Sequence, residues 1–227
     1  MLTHSDKPAP TSPWHSPLLS ARTRQWTKRG FDVLCALPGL LILAPLLALV
    51  ALWIRLTSPG PIFYRPIRVG RNGQPFRLYK FRTMRQDADR TGPGITRSGD
   101  ERITPVGRLL RRSKLDEFPQ LWNVLKGDMS LVGPRPEDPR YVQRYIPDDG
   151  IVLAVRPGMT SLASIRYRNE ELLLQGENWE ETYIKRVMQD KLRVDRRYVE
   201  QWSMKLDLQI LFYTFFVLPS TGETDLL

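Results

Sequence analysis

The chain has 227 residues, 41% of them apolar, which is enough for one cored domain with appendages and too much for a wholly disordered chain. A formal net charge of +10 points to an anionic partner: nucleic acid, an anionic membrane face or a phosphorylated substrate. The two histidines, His4 and His15, both in a Pro/Ser/Thr-rich start, argue against a histidine-based catalytic or metal centre, and the one cysteine, Cys35, excludes an internal disulfide and fits a reducing compartment.

Residues 1–25 read as a disordered tail. Residues 28–56, KRGFDVLCALPGLLILAPLLALVALWIRL, follow. Between Asp32 and Arg55 about 22 residues carry no charge, and as a straight helix they would measure roughly 33 Å, enough to cross a bilayer. Both flanks are basic, with Arg22, Arg24, Lys28 and Arg29 before and Arg55, Arg65, Arg68 and Arg71 after. Positive charge marks the cytoplasmic side, so both flanks claim the same side. Pro45 in mid-run removes a backbone hydrogen bond and bends a helix there, and Pro38 can do the same nearer the start. Two readings stand: a kinked spanning helix, or a helix that enters, bends and leaves on one side.

Residues 58–61, SPGP, form a turn. IFYRPIRVG and QPFRLYKFRTM then flank Arg71-Asn72-Gly73, which predicts a basic hairpin with its turn at Asn-Gly. Residues 85–102 are polar and Gly-containing and read as a mobile loop or lid. Thr104 predicts a helix N-cap with Pro105 at the first position, and the helix carries Arg108, Arg111 and Arg112.

Residues 113–136 read SKLDEFPQLWNVLKGDMSLVGPRP. Leu115, Phe118, Leu121, Trp122 and Leu125 have helical spacing, Gly127 suits the C-terminal cap, and Pro119 is tolerated only in a first turn. The helix is therefore expected to begin near Asp116, with Asp116 and Glu117 at its amino end. Residues 165–200 are amphipathic and charged, and predict two helices. Residues 202–218 are apolar and aromatic, too short to span, and fit a helix in the membrane interface or one packed under the domain.

Asp116 has two readings. Ser113 followed by Asp116 resembles a capping box, in which Asp116 only caps the helix. Alternatively Asp116 is a nucleophile toward phosphorus and Glu117 a metal ligand or electrostatic partner. A pyrophosphate substrate normally arrives with Mg²⁺, which takes oxygen ligands and often only one or two carboxylates. Arg111, Arg112 and Lys114 would offset the gathered negative charge. In GPRP, Pro134 and Pro136 restrict the backbone, so Arg135 is presented with little freedom, either to a phosphate or to a structural ion pair.

KRGFD at 28–32, KFRTM at 80–84, ITPVGRLLRRSKLDEFPQLWNVLKGDMSLVGPRP at 103–136 and RPGMT at 156–160 resemble, in this order, the bacterial sugar transferases, the monotopic polyprenyl-phosphate phosphoglycosyl transferases that start bacterial surface glycans. The resemblance covers roughly residues 26–219. It implies an α+β, mostly helical fold: a re-entrant membrane helix over 26–57 bent at Ala44 and Pro45, and a cytoplasmic catalytic domain over 58–219. That domain would hold a small basic hairpin, a catalytic helix with the Asp-Glu pair and interfacial amphipathic helices. Residues 220–227 form a tail.

It also implies that Asp116 attacks the β-phosphate of a UDP-sugar, releases UMP and passes the phosphosugar to polyprenyl phosphate, with Mg²⁺ held by Glu117. Lys80, Arg82, Arg111, Arg112, Pro134, Arg135, Pro136 and Asp207 are the substrate-binding residues it implies. The expected location is the cytoplasmic face of the bacterial inner membrane, among membrane lipids and without nucleic acid, and a homodimer is left open. Many members read PGITG followed by AQVNGRN; here RPGMT is followed by SLASIRYRNEELLLQG, a different subgroup. The short tail suggests the minimal catalytic form. Two other readings stand beside this: direct transfer in a ternary complex, and a membrane-anchored basic protein without catalysis. The last needs only the charge and the anchor, and leaves Asp116, Glu117 and GPRP unexplained.

Overall fold

The computed structural model describes residues 22–88, 99–168, 170, 173–174 and 178–216. The two expected tails up to residue 21 and from 220, and residues 89–98 of the expected lid, lie outside them.

Helix α1, Arg22–Thr57, starts four residues before the expected boundary and stays helical through Pro38 and Pro45. Among the described residues it is the one helix long and apolar enough to cross a membrane. One face touches the domain along both halves. Phe31, Ala36, Leu40 and Leu43 join the main core with Leu121, Val124 and Val132, while Val50 and Ile54 pack with Phe81 and Leu110. The other face leaves Leu34, Leu41, Ile42, Leu49 and Leu56 exposed. Polar locks reinforce the start of the helix. Lys28 pairs with Asp207, Arg29 donates to the carbonyls of Val124 and Leu125, and Asp32 accepts from Ser130 Oγ at 2.9 Å and Leu131 N at 3.0 Å.

The expected hairpin is present as two short antiparallel ladders. β1 (Phe63–Tyr64) pairs with β4 (Lys80–Phe81), and β2 (Ile67–Val69) pairs with β3 (Pro75–Arg77). Asn72 and Gly73 take φ of 56° and 75° at the turn, the left-handed region that Asn and Gly tolerate. Asn123, fully buried, ties the hairpin down: its Oδ1 accepts from Tyr79 N at 2.9 Å and its Nδ2 donates to Arg77 O at 2.8 Å. That fixes the neighbouring Lys80.

Helix α2, Pro105–Ser113, has the expected cap, with Thr104 Oγ1 accepting from Gly107 N at 2.9 Å. The next segment differs from the expectation. Lys114 adopts φ 59° and ends α2; a 3-10 helix runs over Leu115–Gln120, and the α-helix proper, α3, covers only Leu121–Lys126 before Gly127 at φ 91°. Pro119 explains this, since its ring and missing N–H do not suit a regular α-helical interior.

β5 (Ser130–Val132) pairs in parallel with β6 (Gly158–Thr160). Between them lie the short helix α4, Pro139–Val142, and a 3-10 helix, Pro147–Ala154; α5, Leu162–Arg166, follows. Of residues 165–200, where two helices were expected, the described part holds α6 (Trp179–Thr182) and α7 (Met188–Glu200), joined without a break by a π turn (Tyr183–Val187). The last element among the described residues, α8 (Met204–Phe216), combines both readings of its sequence. Leu206, Asp207 and Ile210 are buried in the domain, whereas Leu208, Phe212, Phe215 and Phe216 face outward.

Candidate active site

The carboxylates sit where α2 hands over to the 3-10 turn. Gly107 lets α2 approach the loop after β4: a Cβ there would lie 1.9 Å from Thr83 O. Thr83 O also accepts from Thr104 N at 3.0 Å, and Thr83 Oγ1 from Arg111 Nε at 2.9 Å. The left-handed Lys114 then turns the chain so that Asp116 faces inward, 4% exposed.

The capping-box reading of Asp116 fails. Ser113 lies in the last turn of α2 and donates back to Leu109 O at 2.9 Å and Leu110 O at 3.1 Å. Asp116 Oδ1 is buried and makes no hydrogen bond. An unpartnered buried carboxylate oxygen is costly, so it is either neutral or kept for a ligand. The six-residue 3-10 turn supplies little dipole, and the positive field comes from side chains instead.

Burial raises the Asp116 carboxyl above its usual range, Lys80 opposes this, Glu117 adds to it, and Arg111 and Lys114 oppose it. Burial pulls Lys80 down to about 8, with Arg111 and Arg68 adding to that and the two carboxylates resisting it. Glu117 is the opposite case. Burial alone would raise it, but Arg135, then Lys80 and Lys114, hold it at about 2. Arg135 Nη2 lies 2.8 Å from Glu117 Oε1. The pair thus contains one carboxylate that is firmly anionic and one, Asp116, whose charge is strained. Neighbouring carboxylates with divergent affinities for protons are a common sign of divided roles.

The GPRP segment is fixed by β6. Gly133 N donates to Thr160 O at 3.0 Å and Gly158 N to Pro134 O at 2.9 Å. A Cβ on Gly158 would sit 2.1 Å from Gly133 N, and one on Gly133 would sit 2.5 Å from Arg156 O. Pro134 and Pro136 are buried and Arg135 projects between them, its side chain 42% exposed. Asp195, on α7, lies buried beneath, its Oδ1 without a hydrogen-bond partner, and burial pushes its carboxyl up to about 7 against the opposing pull of Lys191 and of the polar groups of Ala163, Arg135 and Ser161.

Thus Lys80, Arg111, Asp116, Glu117 and Arg135 form one cluster, with Pro134 and Pro136 as its frame. Arg112 is on the exposed side of α2. Arg82 is engaged elsewhere, donating to Pro59 O and, at 2.7 Å, to Ser58 O at the exit of α1. Asp207 is fully buried at the other end of α1, paired with Lys28 and accepting from Tyr198 Oη at 2.7 Å and Trp202 Nε1 at 3.1 Å. Ala44 and Pro45 are exposed on α1.

Three features escaped the sequence reading: the Gly133–Gly158 contact, Thr83 under Arg111, and Asp195 under Arg135. The glycine in RPGMT was a visible signal for the first; the other two depend on tertiary approach and carry none. As to a metal, among the described residues no group of three or more His, Cys, Asp or Glu is placed to hold one. The orphaned Asp116 Oδ1 and the anionic Glu117 suit a hard cation whose remaining oxygens come from substrate phosphate and water.

A family model described as bacterial sugar transferase matches residues 23–220. A UDP-glucose:undecaprenyl-phosphate glucose-1-phosphate transferase of Caulobacter vibrioides is 41% identical over 203 residues, covering 87% of this chain and 70% of that protein. A UDP-N-acetylgalactosamine-undecaprenyl-phosphate N-acetylgalactosaminephosphotransferase of Aeromonas hydrophila is 36% identical over 200 residues, 87% of this chain but 44% of that protein. The exopolysaccharide production protein PSS of Rhizobium leguminosarum bv. phaseoli is 40% identical over 204 residues, 82% of this chain and 92% of that protein.

Proposed function

The chain belongs to the bacterial sugar transferase family, and from that premise we propose that it moves a sugar 1-phosphate from a UDP-sugar to polyprenyl phosphate, releasing UMP. The observation that carries this is the buried Asp116 carboxylate, its Oδ1 without a hydrogen-bond partner, set among Lys80, Arg111 and Lys114 beside the Glu117–Arg135 pair.

In the proposed reaction an Asp116 oxygen attacks the β-phosphorus. The bond from that phosphorus to the bridging oxygen breaks, and UMP leaves with the electron pair. The resulting acyl phosphate carries the sugar. A phosphate oxygen of the polyprenyl phosphate then attacks the same phosphorus, and Asp116 leaves as a carboxylate. Lys80, Arg111 and Arg135 neutralise the phosphoryl oxygens, and the two prolines hold Arg135 ready so that little ordering is required at the moment of reaction. Glu117, kept anionic, orients Arg135 and with Asp116 would hold Mg²⁺. Bound there, the ion would polarise the phosphate oxygens and screen the like charges.

A panel of UDP-sugars with polyprenyl phosphate tests the reading in detergent-purified protein. UMP release is expected with at least one sugar. The relatives' names include glucose, N-acetylgalactosamine and galactose, so all three belong in the panel. No UMP with any sugar would leave a basic membrane-anchored binding protein.

The two titrating groups predict a bell-shaped pH profile for kcat/KM. Asp116 must be ionised to attack, so the rate falls as pH drops through its raised pKa, above the ordinary aspartate range. Lys80 must be charged to bind phosphate, so the rate falls again above about 8. Lys80→Arg should move the alkaline limb upward. An alkaline limb that stays in place in this variant would remove Lys80 from the account.

We also propose that α1 is re-entrant at the cytoplasmic face of the inner membrane, with α8 in the interface. Two observations support it: both flanks are basic, and both halves of α1 pack on the same domain. A straight crossing would carry one end about 30 Å away from that domain. In a Cys35→Ser background, cysteines placed at Ser16 and at Ser220 are expected to be equally shielded from an impermeant thiol reagent in intact cells. Labelling of one alone would mean a spanning helix.

A further inference from the structure

The amino end of α1 encloses a second cationic site, separate from the carboxylate cluster. Gln25, Lys28 and Asp32, one face of the first turns of α1, line a cavity with Arg71 of the hairpin turn, Arg156 and Trp202. None of Lys80, Arg111, Asp116, Glu117 or Arg135 lines it. Its volume is about 40 Å³, above the ~10–15 Å³ one water requires, and it opens to the surface.

The charges in this cavity do not cancel. Lys28 is paired with Asp207. Arg156 Nε donates to Gly127 O at 2.9 Å, which leaves its positive charge without a counter-charge in that bond. Arg71 NH2 reaches Gln25 Oε1 only at 3.4 Å, and Arg71 Nε is buried with no hydrogen bond. Arg29, Arg71 and Arg156 are close enough that the first two, after burial itself, depress the Arg156 guanidinium. Asp32 is the one carboxylate on the wall; its Oδ1 is taken by Ser130 and Leu131, and its Oδ2 is buried without a partner. Neighbouring guanidinium forks with an unused buried donor fit a phosphate group that accepts from both.

The level of the site identifies the source of that phosphate. Trp26, 70% exposed on the same turns, is of the residue type enriched at the water–lipid boundary, and the exposed apolar row begins at Leu34. With α1 placed in the membrane as proposed above, a group in this cavity lies at head-group depth, next to acyl chains. We propose that the cavity binds the phosphodiester of an anionic membrane lipid head group through Arg71 and Arg156, and so fixes the depth and tilt of α1.

The test is lipid retention by the full chain, read by native mass spectrometry after extraction from nanodiscs. Discs of phosphatidylcholine with added phosphatidylglycerol are compared with discs of phosphatidylcholine alone. Wild type is expected to keep one phosphatidylglycerol, and retention should fall about fivefold for each cation removed in Arg71→Gln and Arg156→Gln. Arg108→Gln, which removes an exposed charge outside the cavity, controls for net charge and should retain lipid as wild type does. Inorganic phosphate added to the same samples separates the sources. A lipid held also by its chains stays, whereas displacement by free phosphate would overturn the lipid assignment. Equal retention by wild type and the double variant would overturn the site itself. The readout does not depend on turnover, so it stands or falls apart from the proposed transfer reaction.

Discussion

Asp116→Asn is expected to lower turnover by about four orders of magnitude or more while the fold and membrane association persist. Removal of a covalent nucleophile costs on this scale in other enzymes, far beyond the ~1 kcal/mol of a lost helix cap. The structure sharpens the comparison, because Asp116 Oδ1 makes no hydrogen bond that a cap would require. Asn is nearly isosteric and removes a buried charge, so its burial is less costly than that of aspartate, although the attraction of Lys80 is lost. The melting temperature should therefore move by only a few degrees in either direction. Turnover, as UMP release, and thermal stability are to be measured on the same preparation. A variant that kept more than about a tenth of the activity would rule out Asp116 as nucleophile. A variant that lost both activity and fold would return Asp116 to a structural role.

Gly158→Ala is expected to be as damaging, through geometry rather than chemistry. The new Cβ would lie 2.1 Å from Gly133 N, 2.4 Å from Thr160 O and 2.5 Å from Gly133 O, all backbone atoms of β6 or of the residue that follows β5. No side-chain rotation relieves such contacts, so the strands must part. Overpacking of this kind costs about 3 kcal/mol or more, on the order of 6–12 °C in Tm for a domain of this size. β5 leads directly into Pro134 and Arg135, so any variant that still folds should also lose Arg135 from Glu117 and with it most of its activity. Gly30→Ala, on α1, has nothing within 4 Å of its Cβ and should leave both properties near wild type. Wild-type stability and rate in Gly158→Ala would mean that the β5–β6 contact does not hold the GPRP segment.

Much of this arrangement is legible in the sequence because it is written locally. Thr104-Pro105 specifies its own cap, Asn72-Gly73 its own turn, and two adjacent carboxylates at a break between helices stay adjacent in any fold. The re-registering of residues 114–126 was less visible. Lys114 at positive φ and Pro119 turn the expected helix into a 3-10 segment, and a lysine there gives no sign of a left-handed residue. The β5–β6 pair lay hidden for another reason: three-residue parallel strands offer no alternation, and their partners are 28 residues apart, as in Ser130 opposite Gly158. Arg82 and Asp207, which the family resemblance implies as substrate-binding, have structural contacts that their sequence context does not announce. Arg82 binds the carbonyls at the exit of α1 and Asp207 neutralises Lys28 at its entrance. Their shared contribution is to anchor the two ends of α1 on one domain.

The central claim is that the phosphosugar passes through a covalent bond to Asp116, and intact mass measures this directly. The protein is mixed with its UDP-sugar in the absence of polyprenyl phosphate, quenched, and weighed, with UMP assayed in parallel. The account predicts UMP up to about one equivalent per active site, a mass increase equal to one phosphosugar, loss of that increase when polyprenyl phosphate is added, and none in Asp116→Asn. UMP that appears only when the lipid phosphate is present, with no adduct on a fully active enzyme, would contradict it and leave direct transfer between the two substrates.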